Sequence, residues 1–161
     1  MAKPVKAVPE GRPTVLPALV CKGAAKAIDY YKKVFGAKEL HRTEGPGGTI
    51  AHAELGIGNS IIMLSDEFSS MAQAPSACTG HALYVYLEDC DAAFQRAVAA
   101  GGKSVMPVMN QFWGDRHGVF EDPFGHRWNV ATHVEDVGPE ELGRRAKEWM
   151  AKAAKAGAQG H

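Results

Sequence analysis

His52 and Glu54 stand two residues apart in Thr49-Ile50-Ala51-His52-Ala53-Glu54-Leu55, a stretch that alternates like a strand, so both side chains project from one face. An imidazole beside a carboxylate can hold a divalent ion, act as a general base, or line a polar part of a cavity through buried hydrogen bonds. His81 and His117 open later strand-like runs and could join them. Large flat side chains gather in the second half of the chain: Tyr84, Tyr86, Phe112, Trp113, Phe120 and Trp128, with Met63, Met106 and Met109 as adaptable filler. Such a lining suits a planar or amphiphilic organic ligand, although alternation must turn about half of these side chains into the core. In Trp113-Gly114-Asp115-Arg116 a Trp beside a Gly turn could form a lip, Trp113 stacking on a ligand while Arg116 meets an anionic group. A turn closed locally by Asp115 and Arg116 is the other reading.

The elements that must position these residues come twice. Residues 1–13 carry Pro4, Pro9 and Pro13 without periodicity and read as an extended arm. A strand is expected in 14–21, with Pro17 marking an irregular spot, then a helix over 24–35 with Ile28, Tyr31, Val34 and Phe35 at helical spacing and Gly36 as its stop. Strands near 38–44, 49–55 and 60–65 complete a βαβββ module over residues 14–66. Residues 67–79 form a linker of small and turn-forming residues, and the same order returns over 80–136: strand 81–87, helix 91–100, and strands near 104–112, 117–121 and 127–133. One constant offset places Val20 on Val85, Gly36 on Gly101, Lys38 on Lys103 and Leu40 on Val105, which marks an internal repeat. Residues 137–161 hold a terminal helix and tail, with Pro139 and Glu140-Glu141 at its start and Arg144, Arg145, Lys147, Lys152 and Lys155 downstream, the polarity that suits a helix dipole.

Composition narrows the setting. The 161 residues balance 18 Lys+Arg against 18 Asp+Glu, without the basic surfeit of a nucleic-acid binder. Apolar runs fall short of the ~18 residues of a membrane span, and the N-terminus lacks the apolar stretch of a signal peptide, so a cytoplasmic protein is expected. Cys21, Cys78 and Cys90 are odd in number and lack C-x-x-C spacing, which suits reduced structural thiols.

With AIDYYKKVFGAK ending the first helix, GHALYVYLED opening the second module and EDPFGHRWNVATH near its end, the chain resembles the glyoxalase/bleomycin-resistance/extradiol-dioxygenase, or vicinal oxygen chelate, superfamily over about Pro13 to Asp136. In the run Glu121 to Trp128, Asp-Pro starts a turn, Gly125 can take positive φ, and His126 is expected to be exposed. The resemblance implies an α+β fold in which two βαβββ modules form a curved mixed sheet around a pocket, usually within a homodimer. It also implies four metal-ligand positions, which fall on Leu16, Met63, His81 and Asn129. Only His81 is a conventional ligand, so a metal is not favoured.

The leading expectation is therefore a metal-independent protein of the bleomycin-resistance type, binding a small organic molecule through His52, Tyr84, Trp113, Arg116, Trp128 and Asn129. The alternative is a lyase, isomerase or dioxygenase acting on a substrate with vicinal oxygens, with His81, His52 and Glu54 around Zn, Ni, Mn or Fe. His81 or Glu54 could also serve as a metal-free base. The partners expected are a small-molecule ligand and a second copy of the chain, with neither nucleic acid nor membrane.

Overall fold

The computed structural model describes residues 6–68, 72–77 and 80–158. Strand β1 (Ala18–Cys21), helix α1 (Ala24–Phe35), and strands β2 (Lys38–Glu44), β3 (Ile50–Ile57) and β4 (Ser60–Asp66) make the first module. Strand β5 (Leu83–Tyr86), helix α2 (Cys90–Ala99), and strands β6 (Lys103–Asn110), β7 (Asp115–Glu121) and β8 (Arg127–His133) make the second, and helix α3 (Pro139–Ala158) follows. Each module forms a four-stranded mixed sheet, ordered β1-β4-β3-β2 and β5-β8-β7-β6, with the first and last strands parallel and the other neighbours antiparallel. The fold is α+β, and no strand of one sheet pairs with a strand of the other among the described residues.

Local chemistry explains the boundaries. Pro17 has no N–H to give a ladder, so β1 starts only at Ala18, while the Pro17 carbonyl accepts the Met63 N–H at 2.8 Å. Helix α1 begins at Gly23 without a capping side chain of its own. Asp66, at the end of β4, supplies the cap: its Oδ1 accepts the N–H groups of Gly23 and Ala24 at 2.9 Å each, and its Oδ2 accepts Ile50 N–H at 2.8 Å. Gly36 closes the helix at φ 66°. Helix α2 carries its own cap, Asp89, whose Oδ1 accepts Ala92 N–H at 2.9 Å.

One core serves both modules. Leu19, Ile28, Val34, Leu55 and Leu64 of the first module are continuous with Phe120, Trp128 and Val130 of the second. Helix α1 makes the join: the rings of Tyr31 and Phe35 lie 5.2 and 4.6 Å from Trp128. Tyr30 donates its hydroxyl to Ala97 O at 3.0 Å, and Arg96 of α2 donates to the Val34 carbonyl at the end of α1. His126, expected at the surface, is instead buried against β1, with its Nε2 3.0 Å from Val20 O and 3.7 Å from Cys21 Sγ. The Asp-Pro-Phe-Gly turn bends inward because Asp122 accepts the N–H groups of Phe124 and His126 at 2.9 Å each, which draws His126 onto the first module.

Cys21 and Cys90 are buried free thiols, whereas Cys78 lies outside the described residues. Helix α3 is fastened at its start, where Arg145 donates to Glu135 at 2.7 and 2.9 Å and the rings of Phe112 and Trp149 approach to 5.7 Å. Among the described residues no helix is long and apolar enough to cross a membrane.

Candidate functional site

Alternation divides each sheet into a core face and an outer face. On the second sheet, Leu83 pairs with Trp128 and Gly118 with Val130 on the core side, while Tyr84 pairs with Asn129 and Val119 with Asn129 on the other. The outer face therefore carries Tyr84, Tyr86, Asn129, His117 and Asp115. Its centre is Asp115, only 2% exposed. Tyr84 and Tyr86 donate their hydroxyls to Asp115 Oδ2 at 3.1 and 3.0 Å, Trp113 donates its Nε1–H to the same oxygen at 3.0 Å, and His133 Nδ1 lies 2.8 Å from Oδ1. Burial alone would push this carboxyl up, but the hydrogen bonds from His133, Tyr86, Tyr84 and Trp113 outweigh it and hold Asp115 below the ordinary carboxylate value. Tyr84 also stacks on His117, centroids 5.3 Å apart and planes 6° from parallel, and His117 Nε2 lies 2.9 Å from Asn129 Oδ1.

The backbone that aims Asp115 depends on Gly114. Its φ of 98° lies in the left-handed region, and a Cβ there would come within 2.1 Å of the Glu135 carbonyl oxygen. The Gly114 carbonyl in turn accepts the N–H groups of Val134 and Glu135 at 3.0 Å each, closing the loop against the end of β8.

His133 responds to pH in a direction the geometry decides. Its imidazole is bonded to Asp136 at 2.9 Å as well as to Asp115, and Asp136 first and Asp115 second raise it above the usual 6.5. A raised folded value stabilises the fold below about 6.5 and loses that contribution as pH climbs through the raised value. Asp115 has the opposite sign: its contribution is present above the unfolded carboxylate value and lost as pH falls through its lowered one. Stability from this pair should therefore decline from about pH 6.5 upward. Denaturant midpoints at several pH values would show this decline in the parent and flatten it in His133→Gln; equal slopes in the two proteins would refute it.

The first sheet presents a different outer face. His41 pairs with Glu54 and Glu54 with Met63, while Thr43 pairs with His52. Glu54 is buried, and Arg12 from the N-terminal arm crosses to it, Nη2 to Oε2 at 2.5 Å; His52 Nε2 lies 3.3 Å from Oε1. The Arg12 guanidinium, aided by His52 and opposed by burial, holds the Glu54 carboxyl below its usual range. Replacing Arg12 with Gln should raise the Glu54 titration midpoint, read by carbon NMR of the side-chain carboxyl. An unmoved midpoint would mean that the arm does not seat there in solution.

These positions bear on a family-type metal. Leu16 precedes β1, Met63 sits beside Glu54, His81 lies exposed ahead of β5, and Asn129 is bonded to His117. Leu and Met bring no hard donor, and an amide oxygen is a weak one. Glu54 already faces a guanidinium, and no group of three His, Cys, Asp or Glu side chains converges among the described residues. The donor set of one chain does not fit a catalytic divalent ion. His52 and Glu54 do meet, as their spacing requires, while His117 bonds to Asn129 on the other sheet.

Two residues named from sequence stand elsewhere than on the outer face. Trp128 is 1% exposed, with Nε1 donating to Asp122 Oδ2 at 2.8 Å; its indole closes the floor of the cleft between the modules. Arg116 is neither a lip nor a turn: it lies on β7, and its guanidinium grips Asp91 of α2 at 2.5 and 2.6 Å. Trp113 does reach the outer face, its ring 5.6 Å from His117.

Two βαβββ modules related by an internal repeat, the first with a polar outer face and the second with a polar and aromatic one, define a tandem-module architecture. The chain belongs to the Glyoxalase/Bleomycin resistance protein/Dioxygenase superfamily, whose model matches residues 15–130. It is 41% identical over 136 residues to the uncharacterized protein Mb0911c of Mycobacterium bovis, covering 81% of this chain and 90% of that one. Among solved structures it is similar to TioX from Micromonospora sp. ML1, at 30% identity and a TM-score of 0.60 over 76% of this chain and 99% of that chain. A glyoxalase/bleomycin resistance protein/dioxygenase from Nocardioides, 24% identical with a TM-score of 0.56, covers 80% of this chain and 88% of its own and shares the fold.

Proposed function

We propose that this protein binds a planar or amphiphilic organic molecule against Tyr84, Tyr86 and Trp113, without a divalent cofactor, as a cytoplasmic homodimer. The observation that carries this is the convergence of the two tyrosine hydroxyls and the indole N–H on Asp115 Oδ2, which locks three aromatic side chains in place before any ligand arrives. Tyr84 and Tyr86 remain exposed, and a cleft of about 670 Å³ runs beside them, edged by Leu83, Val85, Ile57 and Ile61. His52 and Asn129 supply polar rims on the two outer faces. A second copy would bring the face of one module opposite the other module's face and shelter the exposed tyrosines. Buried reduced thiols agree with a cytoplasmic setting.

The alternative, a lyase, isomerase or dioxygenase using His81, His52 and Glu54 around Zn, Ni, Mn or Fe, is disfavoured by the Arg12–Glu54 ion pair. Thermal-shift screening of planar organic compounds, repeated with EDTA, separates the two readings. Stabilisation that survives chelation is expected. A ligand that binds only after a divalent ion is restored, or about one tightly held metal per chain by elemental analysis, would overturn the metal-free reading. Sedimentation of a monomer at micromolar concentration would overturn the paired form.

A further inference from the structure

The rings of Tyr84 and Tyr86 lie 5.1 Å apart at 47° and diverge from the oxygen that their hydroxyls share with Trp113. A phenol that donates to a carboxylate turns its own lone pairs outward and becomes a stronger acceptor. Ring faces present the negative side of their quadrupole, and the Asp115 charge stands at the hydroxyl ends of both rings. The neighbouring cleft agrees in sign: among its described lining residues there is no Lys, Arg or His, and Glu88 is the charged side chain present. His133 is the basic group bonded to Asp115, and it is shared with Asp136, so two carboxylates face its single positive charge. Arg116 directs its charge to Asp91 on the other side of the sheet.

An anion approaching this surface would meet outward lone pairs, ring faces and unbalanced carboxylates together. A neutral flat molecule would gain stacking alone. Resting on the reading above, we propose that Tyr84, Tyr86 and Trp113 form a bowl selective for organic cations, molecules with a flat body and a quaternary or delocalised positive charge. Asp115 acts there without touching the ligand. Its four hydrogen bonds use its accessible lone pairs, and it contributes by charge and by fixing the rings.

The test is isothermal titration of the full chain at pH 8 with two probes alike in shape, the cation N-methylacridinium and uncharged acridine. The cation should bind at least about tenfold more tightly. That ratio should fall toward one in Asp115→Asn, whatever the absolute affinities, and by about two- to threefold in Glu88→Gln, a substitution outside the Asp115 network that serves if the first variant does not fold. Equal affinity for both probes, or tighter binding of acridine, would overturn the charge selectivity and leave the aromatic cleft standing. A cation preference untouched by both substitutions would place the selectivity elsewhere and overturn the proposal. Failure of both probes to bind would remove the cleft itself as a site.

Discussion

Asp122→Ala should cost about 3–5 kcal/mol of folding stability, the largest loss expected from any substitution of a polar side chain here. Asp122 is 4% exposed and accepts four hydrogen bonds. Its Oδ2 takes the Tyr31 hydroxyl at 2.6 Å and the Trp128 indole N–H at 2.8 Å, and its Oδ1 takes the backbone N–H groups of Phe124 and His126. The alanine variant leaves four donors facing an apolar core, each unsatisfied group costing about 1–3 kcal/mol before relaxation. The total stays below the simple sum because the turn can open and admit water. Asp122→Asn retains one accepting oxygen and should lose about half as much. Denaturant unfolding followed by tryptophan fluorescence measures both, and a midpoint for Asp122→Ala within about 1 kcal/mol of the parent would show that the network is not needed.

Trp128→Ala should cost a similar amount, about 3–5 kcal/mol, for a different reason. The indole fills the space between the modules, in contact with Tyr31 and Phe35 of α1, and its removal leaves a cavity that the joined sheets cannot collapse around. Trp128→Phe keeps most of the apolar volume but frees one lone pair of Asp122, so a loss of about 1–2 kcal/mol is expected. Because Tyr84 projects from the opposite face of the sheet, and phenylalanine keeps an aromatic wall where Trp128 lines the adjoining cleft, the phenylalanine variant should bind an aromatic probe within about twofold of the parent. A large loss of affinity at near-parental stability would return Trp128 to the role of ligand contact.

The element order was legible because helix and strand periods, glycine stops and the repeat agree. The offset that matched Val20 to Val85 carries Ala18–Cys21 onto β5, Leu83–Tyr86, end to end. It also carries His52 onto His117, which is why each outer face has an imidazole at the corresponding place. The pairing of His52 with Glu54 followed from alternation alone. Asp115 was missed as the centre of a site because Trp-Gly-Asp-Arg reads as turn chemistry. The repeat held the remedy: it maps Ile50, the first residue of β3, onto Asp115, which starts β7 there and sends Asp115 and Arg116 to opposite faces. Arg12 left no signal, since an arm without periodicity gives no means of pairing its guanidinium with a carboxylate 42 positions away. The inward turn of His126 was equally hidden, because it depends on a partner strand from the other module.

Helix α1 belongs by sequence to the first module of the repeat and by packing to both modules. Through Tyr31, Phe35 and the capped Val34 carbonyl it makes the second module's interior incomplete without the first. A half gene encoding either module alone would yield a chain whose aromatic interior lay open to water. The two modules are interlocking parts around one core, so the tandem chain is expected to fold and unfold as one unit.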